Sequence, residues 1–301
     1  MAEIFSPVDI GSIHLETPIM NGAGPVKLPE HVLEIARSDA GAIVLGSITI
    51  EERFGNAGVV YARGKDDIYS LNSKGLPNGG LFYYRDKLPE LVSIAHDHGK
   101  PLIVSIAGFS PEEYARLSDV VINSGVDGQE LNLGCPNVWG KDGKQKRIAS
   151  FDEDLTGETL RQVEQAVGPD AWTAVKLSPF SDPIALQSIA NILSQSRLVT
   201  AVTSTNTFPN AFSFNEEDSP AIDPGGGLSG LAGKALKPIG IGQVRQLRSV
   251  LPSAIAIIGV GGISNSQDVF DYLRAGADAT QITTAYINFG SQIFRRARGN
   301  G

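Results

Sequence analysis

The chain has 301 residues, 42% of them hydrophobic and 19% charged, which is enough for one large core or two modest ones. Its 33 acidic and 25 basic residues give a formal net charge of -8 at pH 7, which argues against a nucleic-acid partner and leaves a small molecule as the expected ligand. One cysteine excludes an internal disulfide and a four-cysteine cluster within the chain, and the four histidines show no metal-ligand spacing, so no metal site and a cytoplasmic setting are expected.

The first twenty residues lack a basic start followed by an apolar run, and nowhere do eighteen apolar residues follow one another. Neither a signal peptide nor a membrane span is expected. Short β-branched runs predict strands at 17–20, 42–45, 102–106, 128–133, 173–177, 201–204, 256–259 and 280–283. Amphipathic stretches predict helices at 29–37, 88–97, 111–123, 155–167, 184–194, 238–251, 266–275 and 291–298. This alternation predicts an α/β fold, a (β/α)8 TIM barrel over 1–301 as one domain, with an N-terminal hairpin and long active-site loops. A doubly wound open sheet is the competing architecture. The barrel is favoured because no strand-GxGxxG-helix unit opens the chain, and because glycines and polar residues fall just after the proposed strands, where a barrel places its site. The segment 208–225, with Pro209, Pro220 and Pro224, reads as a long loop able to cover that site.

The most informative stretch is Glu130-Leu131-Asn132-Leu133-Gly134-Cys135-Pro136-Asn137, which sets the lone thiol between two asparagines at the end of a strand. Asparagine carries both a donor and an acceptor, so the pair suits a planar ligand that carries both, and the thiol is a candidate acid, base or nucleophile. A buried structural cysteine is the other reading. Near the end, Gly259-Val260-Gly261-Gly262-Ile263 and Gln281-Ile282-Thr283-Thr284-Ala285 form two turns at strand ends, a pairing that suits a phosphate in the last two units of a barrel. A third glycine-rich loop, residues 225–230, can close over the same phosphate.

Taken with Met20-Asn21-Gly22-Ala23-Gly24, Leu71-Asn72-Ser73-Lys74-Gly75-Leu76-Pro77-Asn78, Val175-Lys176-Leu177, Thr205-Asn206-Thr207 and Lys237-Pro238, these motifs make the chain resemble the FMN-dependent dihydroorotate dehydrogenases, especially the soluble class 1 enzymes. The resemblance implies a flavoprotein with FMN as cofactor that oxidises dihydroorotate to orotate in pyrimidine biosynthesis. Cys135 then matches the general base, and cysteine in place of serine marks the soluble class. Asn72, Lys74, Gly75, Leu76, Asn132, Asn137, Asn206 and Thr207 match substrate positions. Gly22, Ala23, Gly46, Ser47, Asn132 and Lys176 match the flavin ring contacts, with Lys176 approaching the N1/O2 edge, and Gly230, Gly261, Gly262, Thr284 and Ala285 match phosphate contacts.

Two departures bear on substrate. Soluble members generally carry a lysine at the position of Gly46, pairing with the substrate carboxylate, and class 1A members have methionine where Lys74 stands. Relocation of the missing cation to Lys74 is one reading, and an exposed loop lysine is the other. A flavin oxidoreductase acting on a different pyrimidine or another activated C–C bond is the alternative function, and a catalytically silent flavoprotein subunit is a third. Asn206-Thr207 and residues 226–230 resemble class 1B, which adds a partner subunit with FAD and an iron-sulfur cluster, whereas residues 137–141 resemble the homodimeric, fumarate-using class 1A. A homodimer is the expected assembly.

Overall fold

The computed structural model describes residues 5–138 and 145–299. Eight parallel strands, β1 (Ile19–Asn21), β2 (Ile43–Ile48), β3 (Leu102–Ile106), β4 (Gly128–Asn132), β5 (Thr173–Leu177), β6 (Val199–Ser204), β7 (Ala256–Val260) and β8 (Ala279–Ile282), pair in the order β1-β8-β7-β6-β5-β4-β3-β2. A parallel bridge from Met20 to Ala42 closes the ring. Side chains on both faces are covered, so every residue of β2, β3, β4 and β5 is buried.

Helices α1 (Pro29–Ala36), α2 (Gly80–His96), α3 (Pro111–Ile122), α4 (Glu153–Val167), α5 (Pro183–Gln195), α6 (Lys237–Val250) and α7 (Ser266–Ala275) each follow the strand of the same number, and α8 (Thr284–Phe289) and α9 (Gln292–Arg298) follow β8. Their starts are written locally. Ser110, Asp152, Asp182 and Asn265 accept hydrogen bonds from the first free backbone N–H groups of α3, α4, α5 and α7, and proline takes the first helical position of α1, α3 and α5. Helix α2 begins eight residues before the expected 88, because Pro89, which reads as a helix start, lies inside it. The expected helix at 291–298 is preceded by the short α8, which the sequence reading missed.

An antiparallel hairpin, Val8–Ile10 with Ile13–Leu15, plugs the N-terminal end of the barrel. Ile10, Ile13 and Leu15 pack into a buried cluster with Met20, Val44, Ile103, Trp172 and Ile258, and the Trp172 indole N–H donates to the Ile10 carbonyl at 2.7 Å. Ile103, Ala174, Ala201 and Ala279 belong to the same cluster, and two residues further along their strands stand Ser105, Lys176, Thr203 and Gln281, with Glu130 on β4 paired to Ser105. The interior is therefore apolar at the plugged end and polar at the C-terminal mouth.

A second sheet stands at that mouth. Tyr61–Arg63 and Ser70–Asn72, from the β2–α2 connection, pair antiparallel with Phe208–Ala211 and Ser229–Ala232, from the β6–α6 connection. The expectation of a plain loop at 208–225 is thus corrected: its first residues are a strand. These strands are three or four residues long, and the two from the β6–α6 connection contain Pro209 and Gly230, so they are too short and irregular for a period-two signal.

Candidate active site

A cavity of about 280 Å³ runs across the C-terminal mouth, near the lower end of the ~300–1,000 Å³ range of small-molecule sites. Its floor is a polar network buried inside the barrel. Lys176 Nζ lies 3.5 Å from Glu130 Oε1 and donates to Gln281 Oε1 at 3.1 Å. Gln281 Nε2 and Thr203 Oγ1 donate to Glu130 Oε2 at 2.8 and 3.0 Å. Strands β4, β5, β6 and β8 each contribute one member. The ammonium that lines the cavity is thereby held by a carboxylate lying beneath it.

Above the floor, the asparagines form two linked groups. Asn206 Nδ2 donates to Asn132 Oδ1, and Asn132 Nδ2 donates to Ser47 Oγ, both at 2.9 Å, while the Ser47 and Ser105 hydroxyls stand 2.8 Å apart. Thr207 N donates to Asn206 Oδ1 at 2.8 Å. Asn137 Nδ2 donates to Asn72 Oδ1 at 2.9 Å, and Asn72 Nδ2 donates to the Gly230 carbonyl at 3.2 Å. Each amide is oriented by its neighbour before any ligand arrives, and Asn72, Asn132, Asn137 and Asn206 all line one cavity. The Thr207 hydroxyl oxygen is buried with no hydrogen-bond partner among the described residues, an unmet polar group at the same place.

Cys135 is partly accessible from this cavity. Burial pushes its thiol pKa up, opposed by the backbone of Asn137 and by the positive charges of Arg53, Lys176 and Lys27. Lys27, which the sequence reading did not single out, reaches the cavity from the β1–α1 connection, and its Nζ donates to the Pro77 carbonyl. Burial and the nearby Lys74 charge lower Lys27 to about 8, with Cys135 acting the other way. Lys74 also lines the cavity, over the Tyr61 ring at 5.5 Å to its centroid, and burial lowers its pKa. Gly75 and Leu76, both with positive φ, carry the chain round between Lys74 and Pro77, and Arg53 Nε donates to the Gly75 carbonyl at 3.0 Å.

The far end of the cavity is lined by backbone. Gly261 and Gly262 follow β7; Gly261 lies against Tyr272 and Leu236, and Gly262 faces Gly233 and Lys234 from the β6–α6 connection. A Cβ at Gly262 would fall 2.9 Å from the Gly233 carbonyl and 3.1 Å from Lys234 Cα, so only glycine fits, and its φ of +67° also calls for glycine. Thr284 and Ala285, where α8 begins, line the same end. Gly230 does not join them: it lies against Thr207 and Asn137, on the asparagine side, and Gly233 with Lys234 takes the place expected of it. Ala23 and Ser47 line the middle of the cavity. Gly22 packs on the Thr283 hydroxyl and Gly46 on the Ser105 carbonyl. Residues 139–141 of the loop that resembles class 1A lie outside the described residues. Among the described residues no group of three or more His, Cys, Asp or Glu can hold a metal ion, and no helix is long and apolar enough to cross a membrane.

The family model for dihydroorotate dehydrogenase matches residues 7–299. This chain belongs to the dihydroorotate dehydrogenase family. A dihydroorotate dehydrogenase (fumarate) of Kluyveromyces lactis is 34% identical over 284 residues, covering 93% of this chain and 87% of that protein. One of Saccharomyces paradoxus is 34% identical over 288 residues, with the same coverage of each. The crystal structure of the enzyme of Eimeria tenella in complex with ferulenol superposes with a TM-score of 0.82 at 21% identity, covering 98% of this chain and 82% of that one, and shares the barrel. The family as a whole is flavin-dependent.

Proposed function

We propose that this chain oxidises dihydroorotate to orotate with FMN as its cofactor and fumarate as the electron acceptor. The observation that carries the reading is the placement of the only thiol beside four mutually oriented asparagines and above a buried lysine, all in one cavity.

The residues present fit FMN. The glycine-only approach of Gly262 to Gly233, with Lys234 beside it and Thr284 and Ala285 at a helix start, suits a phosphate, which needs close backbone N–H groups and a cation. Ala23, Ser47 and Lys176 would line the flavin ring. A bound FMN supplies the acceptor for the hydride that leaves C6 of the substrate. The chain's own residues do the rest. Asn72, Asn132, Asn137 and Asn206 match the donors and acceptors of the pyrimidine imide, which would otherwise be left unpaired on burial. Cys135, as thiolate, takes the proton from C5. The positive charges of Arg53, Lys176 and Lys27 favour that thiolate against the burial that disfavours it. Lys176 places a fixed cation where negative charge collects, and Glu130 holds it there.

The test is turnover of the FMN-loaded protein with dihydroorotate and fumarate, following orotate and succinate. Equimolar appearance of both is expected. Orotate formed only with another acceptor would overturn fumarate, and no orotate with any acceptor would overturn the reaction.

A further inference from the structure

We propose that Lys27, together with Lys74, seats the carboxylate of the substrate, so that the anion is bound from the β1–α1 and β2–α2 connections and not from the end of β2. This rests on the reading of dihydroorotate given above and names the residues that select it.

Position 46 cannot carry a side chain in this backbone. Gly46 has φ of +102°, and a Cβ there would lie 2.5 Å from the Ser105 carbonyl oxygen and 3.0 Å from Ile48 N. Its backbone does something else. Gly46 N donates to the Val26 carbonyl at 3.0 Å, and Gly24 N donates to the Gly46 carbonyl at 2.6 Å, so the end of β2 grips the segment just before Lys27. On the other side, the Tyr84 hydroxyl donates to the Lys27 carbonyl at 3.1 Å, and Lys27 N donates to His31 Nδ1 at 3.3 Å. With Val26 fully buried, the Lys27 backbone is pinned and its side chain is committed to the cavity.

There the ammonium donates to the Pro77 carbonyl, at the end of the Gly75–Leu76 turn, and Lys74 stands at the start of that turn. The two cations thus bracket one short turn of the cavity wall. Among the described residues neither has a carboxylate partner, whereas Lys176, deeper in the same cavity, has Glu130. Two partly buried ammoniums with no counter-charge are costly, and burial lowers the pKa of each. An anionic group placed between them removes the cost, and a neutral ring leaves it in place. The pair therefore selects a carboxylate-bearing pyrimidine over an uncharged one.

The test uses the FMN-loaded protein and measures the dissociation constants of orotate and of its uncharged methyl ester by the change in flavin absorbance, in wild type, Lys27→Met and Lys74→Met. Each variant is expected to weaken orotate by about 10- to 100-fold, as loss of a charge-assisted hydrogen bond does. The methyl ester is expected to bind all three within about twofold. Equal loss for both ligands would mean that the lysines only shape the cavity, and would overturn the proposal. Unchanged orotate affinity in both variants, in a protein whose flavin dihydroorotate reduces, would overturn the seat and leave the reaction standing. Wild type that binds the ester as tightly as orotate and is not reduced by dihydroorotate would overturn both.

Discussion

Lys176 on β5 and Glu130 on β4 form an ion pair inside the barrel, 3.5 Å apart, with the carboxylate also held by Gln281 and Thr203. Both side chains are almost fully buried, so each is the other's main compensation for leaving water. Removing one partner should cost more than removing both charges. Lys176→Met is expected to lower unfolding free energy by about 3–5 kcal/mol, and adding Glu130→Gln should recover part of that loss. Denaturant unfolding of the single and double variants checks this, and purely additive losses would mean that the pair is not coupled.

Removal of the thiol separates chemistry from binding. Cys135→Ala should slow flavin reduction by dihydroorotate about 10²- to 10⁴-fold, the usual contribution of a positioned acid or base, with orotate affinity changed no more than a few-fold. Stopped-flow reduction gives the first quantity and a binding titration the second.

The pH dependence has a definite sign. Burial raises the Cys135 thiol above its ordinary value of about 8.5, so the thiolate fraction and the reduction rate should still be rising with pH beyond that point. The Lys27 charge favours the thiolate and is itself lost as pH passes about 8. Lys27→Met should therefore lower the rate below about pH 8, where wild-type Lys27 is charged, and leave the limb above that point nearly unmoved. A pH–rate profile of the reductive half-reaction, with Lys74 and Arg53 left in place, measures the difference.

The glycine turn at the end of β7 admits no side chain. Gly262→Ala would drive a methyl group against the Gly233 carbonyl at a positive φ, and is expected to weaken FMN binding by at least about tenfold, or to give flavin-free protein. Gly242→Ala, in α6 with nothing within 4 Å of the added carbon, is the control: it should retain flavin and gain up to about 1 kcal/mol of stability. Flavin content per chain and thermal unfolding read both.

The barrel was legible because its strands are covered on both faces: residues 42–45 and 102–106 are short, mostly apolar runs, and both lie in buried parallel strands. The thiol and its asparagines were legible because they sit close together in sequence or at strand ends. The extra sheet was not, since Ser70–Asn72 and Ser229–Ala232 become strands only by meeting each other across 158 positions of sequence, as Asn72 and Gly230 do. Lys27 was hidden for a related reason. Its role depends on Gly46 holding Gly24 and Val26, a tertiary contact to which no local pattern points. Gly230 was assigned to the phosphate by its place in a glycine run, but the chain turns at Pro224–Gly227 and delivers Gly233 to that end of the cavity.

Cys135 is the proposed base for the C5 proton of dihydroorotate, and bound FMN would accept the hydride from C6. Anaerobic mixing of the FMN-loaded protein with dihydroorotate, followed at the oxidised-flavin absorbance, tests this claim most directly. Rapid bleaching in wild type, lost in Cys135→Ala, is the predicted result. Flavin that stays oxidised with dihydroorotate while dithionite still reduces it would contradict the claim.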